Sequence, residues 1–203
     1  MFFVEKKNEK KQMVQDYQYL NEWTVKNNYP LPLISDILEN IGTKKVFMKI
    51  NLRWGYNNVR IKEGDEWKVA FITPERSFKP MVMFFGLTNS PATFQVMINK
   101  LLRDLINTGK VAAFIDNVII GTEDEEGHNE LVVEVVKRLE ENDLYMKPEK
   151  CKWKVKEVGF LGVVIELDGI KMEKEKMKSV LDWLIPKYVK DVQKFLELAN
   201  YYC

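Results

Sequence analysis

The chain has 203 residues, of which 46% are hydrophobic and 30% are charged, and its formal net charge is +1 at pH 7. The composition predicts one large folded domain, or somewhat more than one, and the balanced charge means that an anionic partner has to be met by a local patch. No apolar run approaches the roughly 18 to 20 residues that span a bilayer, the first residues lack a secretory signal, and a single histidine excludes most histidine-based metal sites and catalytic triads.

The first half of the chain is predicted to be rich in strands. A lysine cluster near the start, from Lys6 to Lys11, is interpreted either as a solvated strand edge or as a phosphate-binding patch. A short helix is predicted over residues 33–40 and ends before Gly42. Strand-like runs bounded by glycine and proline follow at residues 46–52, 58–62, 67–72 and 80–87.

Two strong amphipathic helices are predicted in the second half. The first begins at Asn89 or Ser90, has Pro91 in its first turn and continues to Gly109, and the second covers residues 125–142. Strand-like pieces follow at residues 144–147, 151–155 and 158–165, then a turn at 167–169 and helical patterns at 174–184 and 190–202. Helices mixed with mostly antiparallel strands predict an α+β fold with helices packed on one face of the sheet.

The segment AAFIDNVIIG, residues 112–121, places two polar residues between two apolar runs. The pattern predicts a tight β-hairpin with Asp116 and Asn117 as its turn, because Asp and Asn tolerate positive φ. Such a turn needs neither a metal nor a substrate. The spacing alone therefore leaves a functional role open.

Separated phrases along the chain together resemble the polymerase domain of reverse transcriptases from gypsy-class long-terminal-repeat retrotransposons. They are NYPLPLISDIL, INLRWGYNNVRIKEGDEWKVAF, FFGLTNSPATFQ, FIDN, LYMKPEKC and GFLGVVI, in that order. The resemblance covers nearly the whole chain and implies the fingers and palm of a right-hand polymerase, with an antiparallel palm sheet. It assigns residues 1–45 and 57–90 to the fingers, 46–56 and 91–165 to the palm, and 166–203 to the end of the palm and the start of a truncated thumb or connection.

The resemblance implies a site for two Mg²⁺ ions held by three aspartates, one on an early strand and two on the hairpin. The matching positions here are Asn51, Asp116 and Asn117, so Asp116 is the one remaining anionic ligand and the two asparagines occupy degraded ligand positions. Mg²⁺ prefers anionic oxygens, and two-metal catalysis depends on both ions. We therefore expect weak metal binding and an RNA-directed DNA polymerase activity that is lost or strongly impaired.

The resemblance also implies a pocket for the incoming nucleotide. It places Lys6 and Lys10 near the phosphates, Tyr56 under the sugar, and Phe85 with Gly86 beside the nucleotide pocket. Gln12 stands where an arginine normally clamps the triphosphate, and a neutral amide cannot replace that guanidinium. For the two aromatic residues, a plain core role stays open as the alternative. The expected nucleotide-binding residues are Lys6, Lys10, Gln12, Tyr56, Phe85 and Gly86.

The implied partners are an RNA or DNA template–primer and a deoxynucleoside triphosphate, in an intracellular, particle-associated setting without a membrane. Three hypotheses follow for the function. The chain is a catalytically dead relic of a polymerase, or a slow polymerase that uses Asp116 and water, or a non-catalytic module that binds template–primer.

Overall fold

The structure, a computed structural model, describes residues 2–5, 11–183 and 185–202. Its strands are β1 Phe2–Glu5, β2 Lys11–Val14, β3 Val46–Asn51, β4 Phe71–Ile72, β5 Ser77–Phe78, β6 Val111–Phe114, β7 Asn117–Thr122, β8 Lys152–Val155, β9 Glu157–Phe160, β10 Val163–Glu166 and β11 Gly169–Met172. Its α-helices are α1 Gln18–Trp23, α2 Ile34–Ile41, α3 Ser90–Leu101, α4 Arg103–Asn107, α5 Glu125–Glu141, α6 Lys174–Leu181 and α7 Val189–Tyr202. Short 3₁₀ helices cover Gly55–Asn58, Glu66–Val69 and Pro148–Lys150.

A four-stranded antiparallel sheet, in the order β6-β7-β3-β8, lies at the centre of the fold. Side chains of β3 alternate between its two faces, so Met48 and Ile50 enter one core cluster and Phe47 enters another. Helices α3 and α5 pack on the first face through residues such as Phe94 and Val135, which are fully buried. The predicted α+β class with an antiparallel sheet is confirmed. Helix packing is not confined to the one face that was predicted, because α2 lies against the other.

A second layer covers the opposite face of this sheet. It consists of α2 and a three-stranded antiparallel sheet in the order β11-β10-β9, and its core includes Ile41, Ile119 and Phe160. Lys49 reaches across from β3, and its Nζ donates a hydrogen bond to the Gly159 carbonyl at 2.7 Å. The two sheets are therefore joined by a half-buried lysine as well as by apolar packing.

Two predicted strands in the first half are wrong, and a third is much shorter than expected. Residues 58–62 and 80–87 contribute only an isolated bridge, and residues 67–72 form a 3₁₀ turn followed by the two-residue strand β4. Apolar side chains gave these segments a strand-like pattern. The two segments share only two backbone hydrogen bonds, from the Ile61 N–H to the Met81 carbonyl and from the Met83 N–H to the Val59 carbonyl. Side chains also bind their backbone; for example, Asn57 Nδ2 donates to the Met83 carbonyl at 3.0 Å.

The segment 158–165, predicted as one strand, is the hairpin formed by β9 and β10. Leu161 and Gly162 have φ angles of 51° and 89°, and two consecutive positive values reverse the chain in the manner of a primed turn. The strand predicted at residues 144–147 is also wrong, because only a single bridge forms there. In both cases the apolar pattern was correct but the backbone turn within or beside it was missed.

The helices agree more closely with prediction. The helix expected from Asn89 to Gly109 is divided into α3 and α4 at Leu102. Helix α5 begins after Asp124, whose carboxylate accepts a hydrogen bond from the Gly127 N–H at 2.8 Å and so caps the first turn. Within the described residues, we find no helix that combines the length and apolarity needed to traverse a bilayer.

His128, buried on α5, is expected to make the fold sensitive to acid. Its Nδ1 lies 3.0 Å from Thr122 Oγ1, and burial, followed by the charge of Lys154, lowers the pKa of the imidazole from 6.5. The folded state then binds fewer protons than the unfolded state, so stability is lost as the pH falls below about 6.5. We expect the midpoint of urea unfolding to decrease between about pH 7.5 and pH 5.5.

The variant His128→Gln provides the comparison, since His128 is the single histidine in the chain. In this variant the decrease over the same pH interval should be smaller. An unchanged decrease would assign the acid sensitivity to carboxyl groups instead.

Candidate active site

The β6–β7 hairpin presents the polar residues of the candidate site. Phe114 pairs with Asn117, so the turn consists of Ile115 and Asp116, and the predicted Asp116–Asn117 turn is wrong by one residue. Ile115 has a φ of 52°, at the turn position where type II′ hairpins usually have glycine. A β-branched residue in this region is strained, and surrounding contacts have to hold it there.

A buried glutamine of α3 holds this turn. Gln95 Oε1 accepts a hydrogen bond from the Ile115 N–H at 2.7 Å, and Gln95 Nε2 donates to the Ala113 carbonyl at 2.9 Å. The side chain is fully buried among apolar residues of the main core. Sequence reasoning gave Gln95 no role; the signal available was a lone amide on the apolar face of a helix.

Replacing Gln95 with leucine is expected to destabilise the protein by about 2–4 kcal/mol. The substitution leaves the Ile115 N–H and the Ala113 carbonyl without their partner while a strained turn depends on them. Urea unfolding measures the loss. The matched control is Gln18→Leu, at an exposed position of α1, which should change stability by no more than about 0.5 kcal/mol. Equal effects of the two substitutions would contradict the role given to Gln95.

The register of β3 and β7 places Asn51 directly opposite Asn117. Asn51 Nδ2 donates to Asn117 Oδ1 at 3.1 Å, and Asn117 Nδ2 donates to Asp116 Oδ1 at 3.0 Å. The structure therefore brings the three predicted metal-site positions together in one hydrogen-bonded chain that ends on a carboxylate. Asn51 Oδ1 is buried and has no hydrogen-bond partner among the described residues.

Backbone contacts fix this chain of side chains in place. The Leu52 N–H donates to the Asp116 carbonyl at 2.8 Å, and the Lys147 N–H donates to the Asn51 carbonyl at 2.8 Å. Gly55, with a φ of 44°, lies beside the turn; a Cβ atom built on it would be 3.8 Å from Asp116 Cβ. The end of β3, the hairpin turn and the 3₁₀ turn after β3 thus meet at one point.

Tyr56 and Phe85 form an aromatic pair beside the carboxylate. Their ring centroids are 5.1 Å apart, and the Tyr56 ring is 6.1 Å from the ring of Phe94 in the core. The pKa of Tyr56 is raised, first by burial and second by the charge of Asp116. Phe85 is 43% exposed. The pair therefore extends from the core to solvent, and the charge of Asp116 acts on its more buried member, Tyr56.

Gly86 follows this pair in a conformation that favours glycine. Its φ is 96°, and an added Cβ would lie 3.3 Å from the Gln15 carbonyl oxygen. The Gly86 carbonyl accepts a hydrogen bond from Asn21 Nδ2 at 2.7 Å. The backbone beside Phe85 is therefore held from two sides.

The remaining predicted nucleotide contacts are at the start of the chain. Lys6 and Lys10 lie outside the described residues. Gln12 is described only through its backbone, which pairs with Val4. The roles expected of these three side chains stay predictions.

The charges around the site are few. Asp116 is the one carboxylate among the three hydrogen-bonded residues, and no group of three or more His, Cys, Asp or Glu side chains in the described ranges could hold a metal ion. Lys49, two residues before Asn51 on the same face of β3, adds a cation nearby; burial lowers its pKa, and the charges of Glu173 and Asp116 oppose that shift.

Comparisons with known proteins agree on the family and the fold. A family model described as "Reverse transcriptase (RNA-dependent DNA polymerase)" matches residues 4–165. The Tf2-7 and Tf2-3 transposon polyproteins of Schizosaccharomyces pombe are 35% and 34% identical to this chain over 201 residues, or 99% of it. The chain spans 15% of the length of these curated relatives.

Solved structures give the same result. A foamy viral protease–reverse transcriptase in complex with double-stranded DNA matches with a TM-score of 0.89 and 25% identity, over 98% of this chain and 35% of that one. The same viral protein in complex with an RNA/DNA hybrid matches with a TM-score of 0.84 and 25% identity, over 98% of this chain and 26% of that one. The predicted fingers–palm fold is thereby confirmed, and the chain belongs to the reverse transcriptase family.

Proposed function

We propose that this chain is the reverse-transcriptase domain of a retrotransposon polyprotein in which nucleotidyl transfer is lost or strongly impaired. The observation that carries the proposal is the Asn51–Asn117–Asp116 hydrogen-bonded chain, which supplies one carboxylate where the family resemblance implies three. The family membership and the similarity to transposon polyproteins support the first half of the proposal.

These donors do not fit a pair of Mg²⁺ ions. Mg²⁺ requires short contacts to hard oxygens and gives up its own water reluctantly. Here one Asp116 oxygen already accepts a hydrogen bond from Asn117, and the Asn117 oxygen accepts one from Asn51. Hydrogen bonding leaves lone pairs on these oxygens, and the buried Asn51 Oδ1 has no hydrogen-bond partner among the described residues. Charge is what is missing, because Asn51 and Asn117 each bring only an amide dipole and Asp116 is the one anion.

A primer-extension assay tests the proposal. The chain should not extend an RNA- or DNA-templated primer with either Mg²⁺ or Mn²⁺. The double variant Asn51→Asp, Asn117→Asp is the matched comparison, in which nucleotide incorporation should be gained. Incorporation by the unmodified chain that disappears in Asp116→Ala would overturn the proposal and favour a slow polymerase dependent on Asp116.

We propose the same division of the chain that the resemblance implied: fingers at residues 1–45 and 57–90, palm at 46–56 and 91–165, and the end of the palm with the start of a thumb at 166–203. The shared core of β3, β6, β7, α3 and α5 supports the palm assignment. The proposed nucleotide-binding residues are Lys6, Lys10, Gln12, Tyr56, Phe85 and Gly86. The support is that Tyr56 packs against Phe85 and is affected by the charge of Asp116.

A second proposed function is binding of a template–primer duplex without catalysis. The support is that the foamy viral protein, with the same fold, is described in complex with double-stranded DNA and with an RNA/DNA hybrid. Backbone contacts dominate nucleic-acid affinity and make it strongly dependent on salt. We expect an RNA/DNA hybrid to bind with an affinity that falls steeply between low and moderate salt. A flat salt dependence, or no binding, would count against this function.

A further inference from the structure

A cavity of about 370 Å³ lies between α1, residues 59–69 and the first turn of α3. Its size falls in the range of about 300–1,000 Å³ that is typical of small-molecule sites. None of the three hydrogen-bonded site residues lines it. Its apolar wall is formed by Leu20, Val59, Ile61, Val69, Met83 and Leu87.

The rim of this cavity carries more positive than negative charge. Arg60, Lys62 and Lys68 line it together with one carboxylate, Asp65. Lys68 Nζ is 2.6 Å from Asp65 Oδ1, and Arg60 is 3.6 Å from the Glu66 carboxylate. Across the described ranges, Lys62 forms no ion pair. Lys62 therefore adds a cation to the mouth that is in no ion pair within those ranges, although its charge also acts on the nearby Asp65 carboxylate.

Side-chain amides hold the wall of the cavity in shape. Asn21 Oδ1 accepts a hydrogen bond from the Thr88 N–H at 2.8 Å while its Nδ2 donates to the Gly86 carbonyl. Asn89 makes a similar pair of bonds to residues 25–27, at 2.8 and 2.9 Å. Because both amides bridge neighbouring segments, the cavity is largely formed before any ligand enters, which reduces the ordering cost of binding.

We propose that this cavity binds a small amphipathic anion. The apolar body of the ligand packs against Leu20, Met83 and Leu87, and its anionic group lies beside Lys62 at the rim. The apolar wall selects a body such as a ring or a short alkyl chain. The excess of cations over carboxylates at the rim favours an anion over a neutral or cationic molecule of the same shape. The inference is independent of the proposed loss of catalysis, since the cavity and the metal positions share no residue.

Titration of 2-naphthoate into ¹⁵N-labelled protein, followed by NMR, tests the proposal. We expect saturable shifts of the side-chain amide signals of Asn21 and Asn89, which lie in the cavity wall. Two probes of the same shape separate charge from apolar contact: 2-naphthylmethanol should bind more weakly, and 2-naphthylmethylammonium more weakly still. No saturable shift with naphthoate, or equal affinity for the acid and the alcohol, would overturn the proposal.

Variants locate the site. Lys62→Glu should weaken naphthoate binding by about threefold or more, whereas Lys110→Glu, at an exposed lysine outside the cavity, should leave it unchanged. Leu87→Trp fills the cavity and should abolish binding, with the remaining amide spectrum used to confirm folding. Undiminished binding in Lys62→Glu would overturn the assignment, and that exposed substitution does not endanger the fold.

Discussion

The double variant Asn51→Asp, Asn117→Asp is expected to bind Mg²⁺ or Mn²⁺ at least about a thousandfold more tightly than the present chain. The three side chains already touch one another in the structure, so the substitutions add charge without requiring the backbone to move. One added unit charge about 4 Å from a cation contributes roughly 4 kcal/mol at an effective dielectric constant near 20, which corresponds to nearly three powers of ten. Isothermal titration of each cation into both proteins measures the difference.

The control for this gain is the triple variant Asn51→Asp, Asn117→Asp, Asp116→Asn. It changes the same positions but removes the carboxylate at the turn, and its affinity should fall well below that of the double variant. If the present chain and the double variant bind Mn²⁺ equally, then charge at these positions does not control metal affinity and the proposed loss of catalysis has no basis.

Without metal, the same double variant is expected to be less stable than the present chain by about 2–4 kcal/mol. Two amide hydrogen bonds are lost, each contributing about 1 kcal/mol, and three carboxylates then face one another at the end of β3 and the hairpin. Urea unfolding in EDTA measures the loss, and saturating Mg²⁺ should reverse it because binding to the folded state adds stability.

The pH dependence of this loss has a definite sign. Mutual repulsion raises the pKa of the added carboxyl groups in the folded state above their unfolded values, so the folded state takes up more protons. The double variant should therefore regain stability relative to the present chain as the pH falls from about 7 towards about 4. A gap that stays constant over this interval would show that lost hydrogen bonds, and not repulsion, account for the difference.

Prediction from sequence succeeded where apolar periodicity and pairing agreed. Strand β3 and helix α5 were located within a residue or two, because each buries one clear face against the main core. It failed around residues 58–87, where apolar residues suggested strands. There the apolar side chains instead line a cavity, and amide side chains such as Asn57 bind the backbone.

The hairpin turn shows why the site itself was only partly predictable. Rules of turn chemistry favour Asp and Asn at positive φ, yet the structure places Ile115 there and begins β7 at Asn117. The pairing of Asn117 with Asn51 and the hydrogen bond that the Ile115 N–H donates to Gln95 outweigh the local preference of isoleucine. The sequence phrases identified the right residues, whereas their register depended on contacts with β3 and α3.

The alternation along β3 has a consequence for how such a domain changes over generations. Substitution of an acid by its amide at position 51 keeps every other side chain of the strand on its own face. Insertion or deletion of a single codon within residues 46–51 would instead exchange the two faces, turning Met48 and Ile50 out of the helix-packed layer. Single-base changes can thus remove the acidic side chains while the protein still folds. Insertion or deletion of a codon in this strand removes the acidic site and the fold together.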